Sequence, residues 1–311
     1  MNKVKHFLLT LLWESSGTAF LCFAIMLALS IFNLINSTLL SYTNAWMLLF
    51  IPLAFLPPTV IFVASRGGKE YIPTVHLSFP KKHHVPTLIY STVLMILGSL
   101  LLKITFFEGK YTDFSLYGAF FAHRNGNLWN DIYLLLAFCI VPPIFEGLIF
   151  RGVFIREHDR RGRMTCSVIS ALFFALLGFN LQEIPHRFFL GILLCMILYA
   201  TDSIVVTVAM HIIYNAFAVF IEPIFISLKT VSSQTELFIS ILAIFTVISA
   251  IFLFSHLSRL YGKYSRDENY NNFTKSTPKN RTFWHLVELL TSIPAVACYV
   301  IFIAVTLIST I

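Results

Sequence analysis

Charged residues are scarce in this sequence. Only 12% of its 311 residues are Asp, Glu, Lys or Arg, whereas 57% are hydrophobic. Soluble globular domains carry about twice that share of charge. The shortage excludes a soluble enzyme or binding domain, and the long apolar runs predict an all-α polytopic membrane protein.

Paired cysteines and the common catalytic signatures are also missing. The five cysteines all lie in apolar segments without paired spacing, which excludes a disulfide framework and favours small core residues: Cys22, Cys139, Cys166, Cys195 and Cys298. No HExxH, GxSxG, P-loop or dinucleotide-binding fingerprint occurs. We therefore expect no metal site and no cofactor.

Apolar runs recur along the whole chain and predict eight or nine transmembrane helices, because one span needs about 20 residues. Two runs are short and are expected to be tilted or covered by neighbouring helices. The polar triplet Thr201-Asp202-Ser203 predicts a tight helical hairpin, with Asp202 or Ser203 as the cap of the second helix. The runs cover residues 17–35, 45–65, 86–107, 132–155, 166–181, 188–200, 204–227, 237–257 and 286–308.

Basic residues occupy alternate loops. They concentrate in residues 66–82, 156–163 and 259–281, while the intervening loops carry few. With nine spans these basic loops, together with Lys3 and Lys5, fall on one side, which predicts a cytoplasmic N-terminus and an outer C-terminus. The net charge of +7 is explained in this way, so membrane lipid is an expected partner and nucleic acid is not.

Three regions are expected along the chain. Residues 1–130 hold the N-terminal transmembrane helices and an outer aromatic loop, and residues 131–228 form a core. Residues 229–311 hold the C-terminal helices, separated by a polar linker at 265–281 that is rich in Asn and Lys.

Glu146 and Arg151 interrupt the apolar run 132–155, which contains no other charge. Ionisable groups at membrane depth cost roughly 2.5–3.5 kcal/mol each, so such residues are functional-site hypotheses and usually face the bundle interior. Five residues correspond to about 140° around an α-helix, so we expect separate partners for the two side chains. Pro142-Pro143, just before Glu146, should break or kink the helix and free carbonyls that neighbouring groups must satisfy.

His211 and Asn215 are four residues apart and therefore share one face of a later helix. His211 lies about 13 Å deep, close to the depth of about 15 Å for Glu146, so the two side chains are expected to meet. His186, in a predicted loop, is expected to be too far away. A carboxylate facing His and Asn donors can take a proton from water and stabilise an oxyanion, although polar contacts between helices are the alternative explanation.

These residues resemble the CPBP family of intramembrane proteins, which comprises type II CAAX prenyl proteases and Abi, or bacteriocin-immunity, proteins. The family motifs EExxxR, FxxxH and HxxxN correspond to Glu146–Arg151, Phe174–Gly178 and His211–Asn215. The resemblance implies that Glu146 activates water, that His211 and Asn215 hold the oxyanion, and that Arg151 supports the site. Gly147 and Gly178 replace the second Glu and the His of these motifs, and glycine has no side-chain donor or acceptor.

Two hypotheses follow from this resemblance. The first is a glutamate-dependent intramembrane endopeptidase with an incomplete site, which cleaves a peptide or membrane-protein substrate. The second is an inactive scaffold that acts in bacteriocin self-immunity or regulates an envelope partner. A transporter is a weaker third possibility, because the polar residues cluster in one pocket. In each case we expect an integral protein of a bacterial plasma membrane.

Overall fold

The computed structural model describes residues 17–38, 47–67, 78–106, 116–158, 162–231, 235–264 and 286–310. Over these ranges the chain is almost entirely helical and forms no β-sheet. We number the helices in chain order: α1 Gly17–Thr38, α2 Met47–Ser65, α3 Val85–Phe106, α4 Leu116–Ala122, α5 Leu128–His158, α6 Arg163–Leu176, α7 Ile184–Thr201, α8 Ile204–Phe220, α9 Glu222–Val231, α10 Thr235–Tyr264 and α11 Ile293–Thr310.

Nine of the described helices correspond to the nine predicted apolar runs. Five are long and apolar enough to cross a membrane, namely those within 48–65, 82–106, 128–158, 181–201 and 236–260, and four shorter ones are also apolar. This confirms the prediction of an all-α membrane protein. The orientation stays a prediction, and Lys3, Lys5 and the polar linker 265–281 lie outside the described residues.

Helices α5 to α8 and α3 form the centre of the bundle. Helix α7 packs against α6, α3 and α8, while α10 covers α3, and α1 packs between α2 and α11. Aromatic side chains fill the space between α5 and α6, with ring centroids 5.1 Å apart for Phe150 and Phe154 and 5.7 Å apart for Phe150 and Phe174. This packing fixes the position of Phe174 beside the polar residues of α5 and α8.

The predicted hairpin between α7 and α8 is present. Helix α7 ends at Thr201, Asp202 adopts the left-handed conformation with φ of 50°, and α8 begins at Ile204. Ser203 is the cap, because its Oγ accepts a hydrogen bond from the amide of Val206 at 3.4 Å. The short connection makes the two helices antiparallel neighbours.

Helix α5 is continuous but irregular on both sides of Glu146. It widens into π-helical turns at Leu136–Ile140 and Gly147–Val153, and Pro142-Pro143 lie within the α-helical segment between them. The prolines therefore do not end the helix. Wide turns of this kind accommodate residues that cannot join the regular hydrogen-bond ladder, and they occur often at functional sites.

Candidate functional site

Glu146 and His211 meet across the interface of α5 and α8. The Oε2 atom of Glu146 lies 3.7 Å from Nδ1 of His211, and their side chains are 12% and 6% exposed. This separation is too long for a direct hydrogen bond. One water molecule beside the pair can contact both atoms, which is the arrangement in which a carboxylate acts as a base through water.

The pair lines a cavity of about 440 Å³. Apolar side chains from α1, α2 and α5 form part of its wall, and a mostly apolar wall with a few polar groups is typical of a ligand-binding cavity. The polar and charged lining residues are Lys103, Glu146, Glu183, His186, Arg187, His211, Tyr214 and Asn215. The three predicted catalytic residues, Glu146, His211 and Asn215, therefore line one cavity, whereas Arg151 does not line it.

Asn215 is held by the backbone of α5. Its Nδ2 donates a hydrogen bond of 3.2 Å to the carbonyl oxygen of Phe138. That carbonyl would accept from residue 142 in an α-helix and from residue 143 in a π-helix, and both residues are proline without an N–H. The amide of Asn215 replaces the missing donor, and its second N–H remains available to a ligand.

Arg151 lies in the apolar core beside the site and is 1% exposed. None of its guanidinium nitrogens has a hydrogen-bond partner among the described residues. Instead, the guanidinium stacks on the ring of Phe174, with Cζ 4.5 Å from the ring centroid. The same ring meets the imidazole of His211 edge to face at 5.7 Å. Arg151 is thus linked to the site through Phe174, and its expected supporting role stays a prediction.

Arg187 occupies the space next to Gly178. A Cβ atom on Gly178 would lie 2.6 Å from Nε and 2.8 Å from Cδ of Arg187. The guanidinium is anchored by Glu183, whose Oε2 accepts from Nε at 2.8 Å. Arg187 lines the same cavity as Glu146. A cation from α7 therefore fills the place in which a side chain at position 178 would lie.

Gly147 is closely packed as well. A Cβ atom there would lie 2.6 Å from Cγ2 of Val208 on α8. No second carboxylate can be added at this position unless Val208 moves or becomes smaller. At both glycines, a neighbouring side chain therefore occupies the space that a larger residue would need: Val208 at Gly147 and Arg187 at Gly178.

The sequence-based expectation for His186 is wrong. His186 lies in the first turn of α7, is 5% exposed and lines the same cavity as Glu146 and His211. The sequence pattern predicts a loop at His186, because the apolar run begins only at residue 188. In the structure α7 already begins at Ile184, and the imidazole of His186 is buried in the bundle. Its Nδ1 has no hydrogen-bond partner within the described part of the chain.

Lys103 and Tyr214 were not found by sequence reasoning. Nζ of Lys103 pairs with Glu222 at 2.7 Å and lies 5.7 Å from the ring centroid of Tyr214, whose hydroxyl is 2.6 Å from Oγ of Ser99. A lysine near the end of an apolar run resembles an ordinary interfacial residue. The structure shows that the ammonium group of Lys103 is largely buried and paired with Glu222, the first residue of α9.

Asn180 does not supply the donor that Gly178 lacks. Its side chain accepts a hydrogen bond from the amide of Gln182 at 2.9 Å and caps the short helical turn Leu181–Glu183. It does not belong to the cavity lining. Within the described ranges, no group of three His, Cys, Asp or Glu side chains is placed to hold a metal ion. The polar groups that line the cavity are therefore two carboxylates, of which Glu183 is paired with Arg187, two imidazoles, an amide, the hydroxyl of Tyr214 and the cations Arg187 and Lys103.

Residues 127–217 match the family model described as "Type II CAAX prenyl endopeptidase Rce1-like". The matched segment contains α5, α6, α7 and α8 up to Phe217, and with them Glu146, His211 and Asn215. No curated protein matches the chain. No solved structure matches it either.

Proposed function

We propose, from the match of residues 127–217 to the model of Rce1-like type II CAAX prenyl endopeptidases, that the protein is a glutamate-dependent endopeptidase that cleaves peptide or protein substrates within the membrane. The observation that carries the proposal is the 3.7 Å approach of the Glu146 carboxylate to the His211 imidazole inside a cavity. We place the protein in the plasma membrane of a bacterium.

In the proposed reaction Glu146 is the general base. Its carboxylate accepts a proton from a water molecule, and the oxygen of that water attacks the carbonyl carbon of the scissile peptide bond. The proton then passes to the leaving nitrogen as the bond between carbon and nitrogen breaks. A positioned base of this kind contributes about 10²–10⁴-fold to the rate.

The negative charge that develops on the carbonyl oxygen needs donors close to Glu146. His211 supplies one ring N–H, and Asn215 supplies the N–H that is not bound to Phe138. Because Asn215 is fixed by the α5 backbone, its amide needs little reorganisation during the reaction, which is the condition for strong oxyanion stabilisation.

In the proposed site, the guanidinium of Arg187 supplies the positive charge near Glu146 that a protonated imidazole at position 178 would supply. Its positive charge lies in the same cavity as the Glu146 carboxylate, and Glu183 fixes the orientation of the guanidinium. The guanidinium cannot exchange a proton at neutral pH, however. We therefore expect slower turnover than a site with an imidazole at that place would give.

A matched pair of glutamate substitutions on the same helix tests the proposal. The purified protein, reconstituted in liposomes, is incubated with a mixed-sequence peptide library, and the products are identified by mass spectrometry. Glu146→Gln keeps the shape of the side chain but removes the base, so we expect loss of cleavage. Glu157→Gln is the control, because Glu157 pairs with Arg66 at 3.5 Å outside the cavity.

Equal cleavage by the wild type and both variants would contradict a catalytic role for Glu146. Cleavage that disappears only with Glu146→Gln supports it. A Glu157→Gln variant that also fails shows a loss of folding rather than of chemistry, and thermal unfolding of the three proteins separates these cases.

An inactive scaffold is the second candidate. The observation in its favour is the close packing at Gly147 and Gly178, where Val208 and Arg187 occupy the space that catalytic side chains would need. In this case the cavity binds a peptide without cleaving it, for example in bacteriocin self-immunity or in the regulation of an envelope partner. Cells that express Glu146→Gln would then be protected from a bacteriocin as well as cells that express the wild type.

A further inference from the structure

The cavity lies at one end of the bundle. The connection from α6 to α7 contributes Leu177, Gly178, Phe179 and Glu183 to its lining. Lys103 is near the end of α3, and Arg187 is in the first turn of the antiparallel helix α7. We call this the cavity end.

Three side-chain contacts define the opposite end. Glu157, in the last turn of α5, lies 3.5 Å from Arg66, which follows α2. Thr18 at the start of α1 is 2.8 Å from His158. Thr87 at the start of α3 is 2.9 Å from His256 in the last part of α10. The structure thus brings together, at one end, the helix termini from which the basic connections leave.

Positive charge is distributed very unequally between the two ends. The helix ends at the opposite end are joined through residues 66–82, 156–163 and 259–281, whose sequences contain most of the Lys and Arg of the chain. The helix ends at the cavity end are joined through residues 39–46, 107–127, 177–183 and 221–234, whose sequences contain only three Lys or Arg residues, namely Lys110, Arg124 and Lys229. Short cytoplasmic connections retain an excess of Lys and Arg, so the basic end belongs on the cytoplasmic side.

We propose that the cavity opens to the extracytoplasmic side of the membrane and takes peptide segments exposed on that side. These are exported peptides or the outer segments of membrane proteins, rather than cytosolic chains. That they are substrates rests on the proposed function; the direction of the opening does not. The hydrolytic water reaches Glu146 from the same side.

Exposure of the polar side chains agrees with this direction. Arg187, at the start of α7, is 25% exposed, whereas His211, deeper in the bundle, is 6% exposed. Between Glu146 and the cytoplasmic end of α5 lie the buried side chains of Arg151 and Phe154. A peptide that entered from the cytoplasm would have to displace this packed core.

Single cysteines at the two ends test the sidedness without any need for activity. Leu181→Cys reports the cavity end and Met164→Cys the opposite end, because these side chains are 64% and 72% exposed and neither lines the cavity. Leu177→Cys places a thiol in the cavity wall. The five native cysteines are all buried, so the wild type gives the background labelling.

The variants are expressed in a bacterial host and treated with a small membrane-impermeant thiol reagent, in spheroplasts and in inverted membrane vesicles. We expect Leu181→Cys and Leu177→Cys to be labelled in spheroplasts, and Met164→Cys only in inverted vesicles, each with at least a tenfold preference. The reverse pattern would overturn the inference. Labelling of Leu177→Cys only from the inverted side would overturn it too, whatever the two end reporters show.

Cleavage is then measured with a peptide supplied on one side of the membrane at a time. Cleavage only from the outside supports the substrate class, and cleavage only from the cytoplasmic side contradicts it. If labelling shows an outward opening but neither side gives products, the proposed peptidase function fails while the direction of the cavity stands.

Discussion

Introducing a histidine at position 178 should fail to raise activity unless Arg187 is removed at the same time. A Cβ atom at position 178 would lie 2.6 Å from Nε and 2.8 Å from Cδ of Arg187, closer than carbon and nitrogen atoms can approach. Arg187 must therefore leave its place beside Glu183, to which it is bonded at 2.8 Å. Overpacking of this kind costs about 1–3 kcal/mol.

The pair of positions forms a double-mutant cycle. Arg187→Ala alone removes the cation beside Glu146, and Gly178→His alone displaces it, so each variant should cleave more slowly than the wild type. The double variant has room for an imidazole, and we expect it to exceed both single variants. The coupling in the free energy of unfolding should be about 0.5–3 kcal/mol in favour of the double variant, as is usual for residues in contact.

Two measurements apply to all four proteins of the cycle. Thermal or denaturant unfolding in detergent gives the coupling energy even if the protein is not an enzyme, and peptide cleavage gives the order of activities. Additive effects on stability would show that position 178 and Arg187 do not compete for the same space. A double variant no faster than either single variant would refute the idea that Arg187 stands in for an imidazole.

Three further substitutions have defined outcomes. Phe174→Leu removes the cation–π contact with Arg151 and the edge contact with His211, which together are worth about 2–3 kcal/mol beyond the lost volume. Phe173→Leu on the same helix is the control, because it loses the same volume but only a ring contact with Phe154. Phe174→Leu should therefore lower the free energy of unfolding more than Phe173→Leu does, and equal losses would contradict the role of the ring. Asn215→Asp loses the donor to the α5 carbonyl and to the oxyanion, so cleavage should fall by about 10²–10³-fold, and unchanged kinetics would exclude it from the site. Gly147→Ala should lower the free energy of unfolding by about 1–3 kcal/mol. Adding Val208→Ala should restore most of that loss, because it removes the Cγ2 atom that the new methyl group would meet. A double variant that is less stable than Gly147→Ala alone would show that the side chains at positions 147 and 208 do not clash.

The helices and the pairing of Glu146 with His211 were accessible from sequence for physical reasons. Apolar runs of membrane length form helices because unpaired backbone groups are too costly in lipid. A charge inside such a run must face the interior, and counting residues from the loops gives its depth. The freed carbonyl near Pro142-Pro143 was also expected, since proline lacks an N–H. That Asn215 satisfies it required the structure.

The positions of the His186 and Arg187 side chains in the cavity could not be predicted from the sequence. Both stand at the start of a short apolar run, where a helix terminus and a loop cannot be distinguished from composition, and the side of the helix they occupy depends on where α7 begins. Position 178 shows the same limit. A glycine there indicates a missing side chain, but not that a residue nine positions later fills the space, because that contact depends on how α6 and α7 pack.

The sequence by itself determined the class of the protein, the approximate helices and the level at which Glu146 and His211 lie. These properties depend on local composition and on distance along a helix, which are fixed by the order of residues. The tertiary structure alone decided which groups surround Glu146, that Arg187 takes the place beside Gly178, and at which end of the bundle the cavity lies. Those properties depend on side-chain contacts between helices that are distant in the chain.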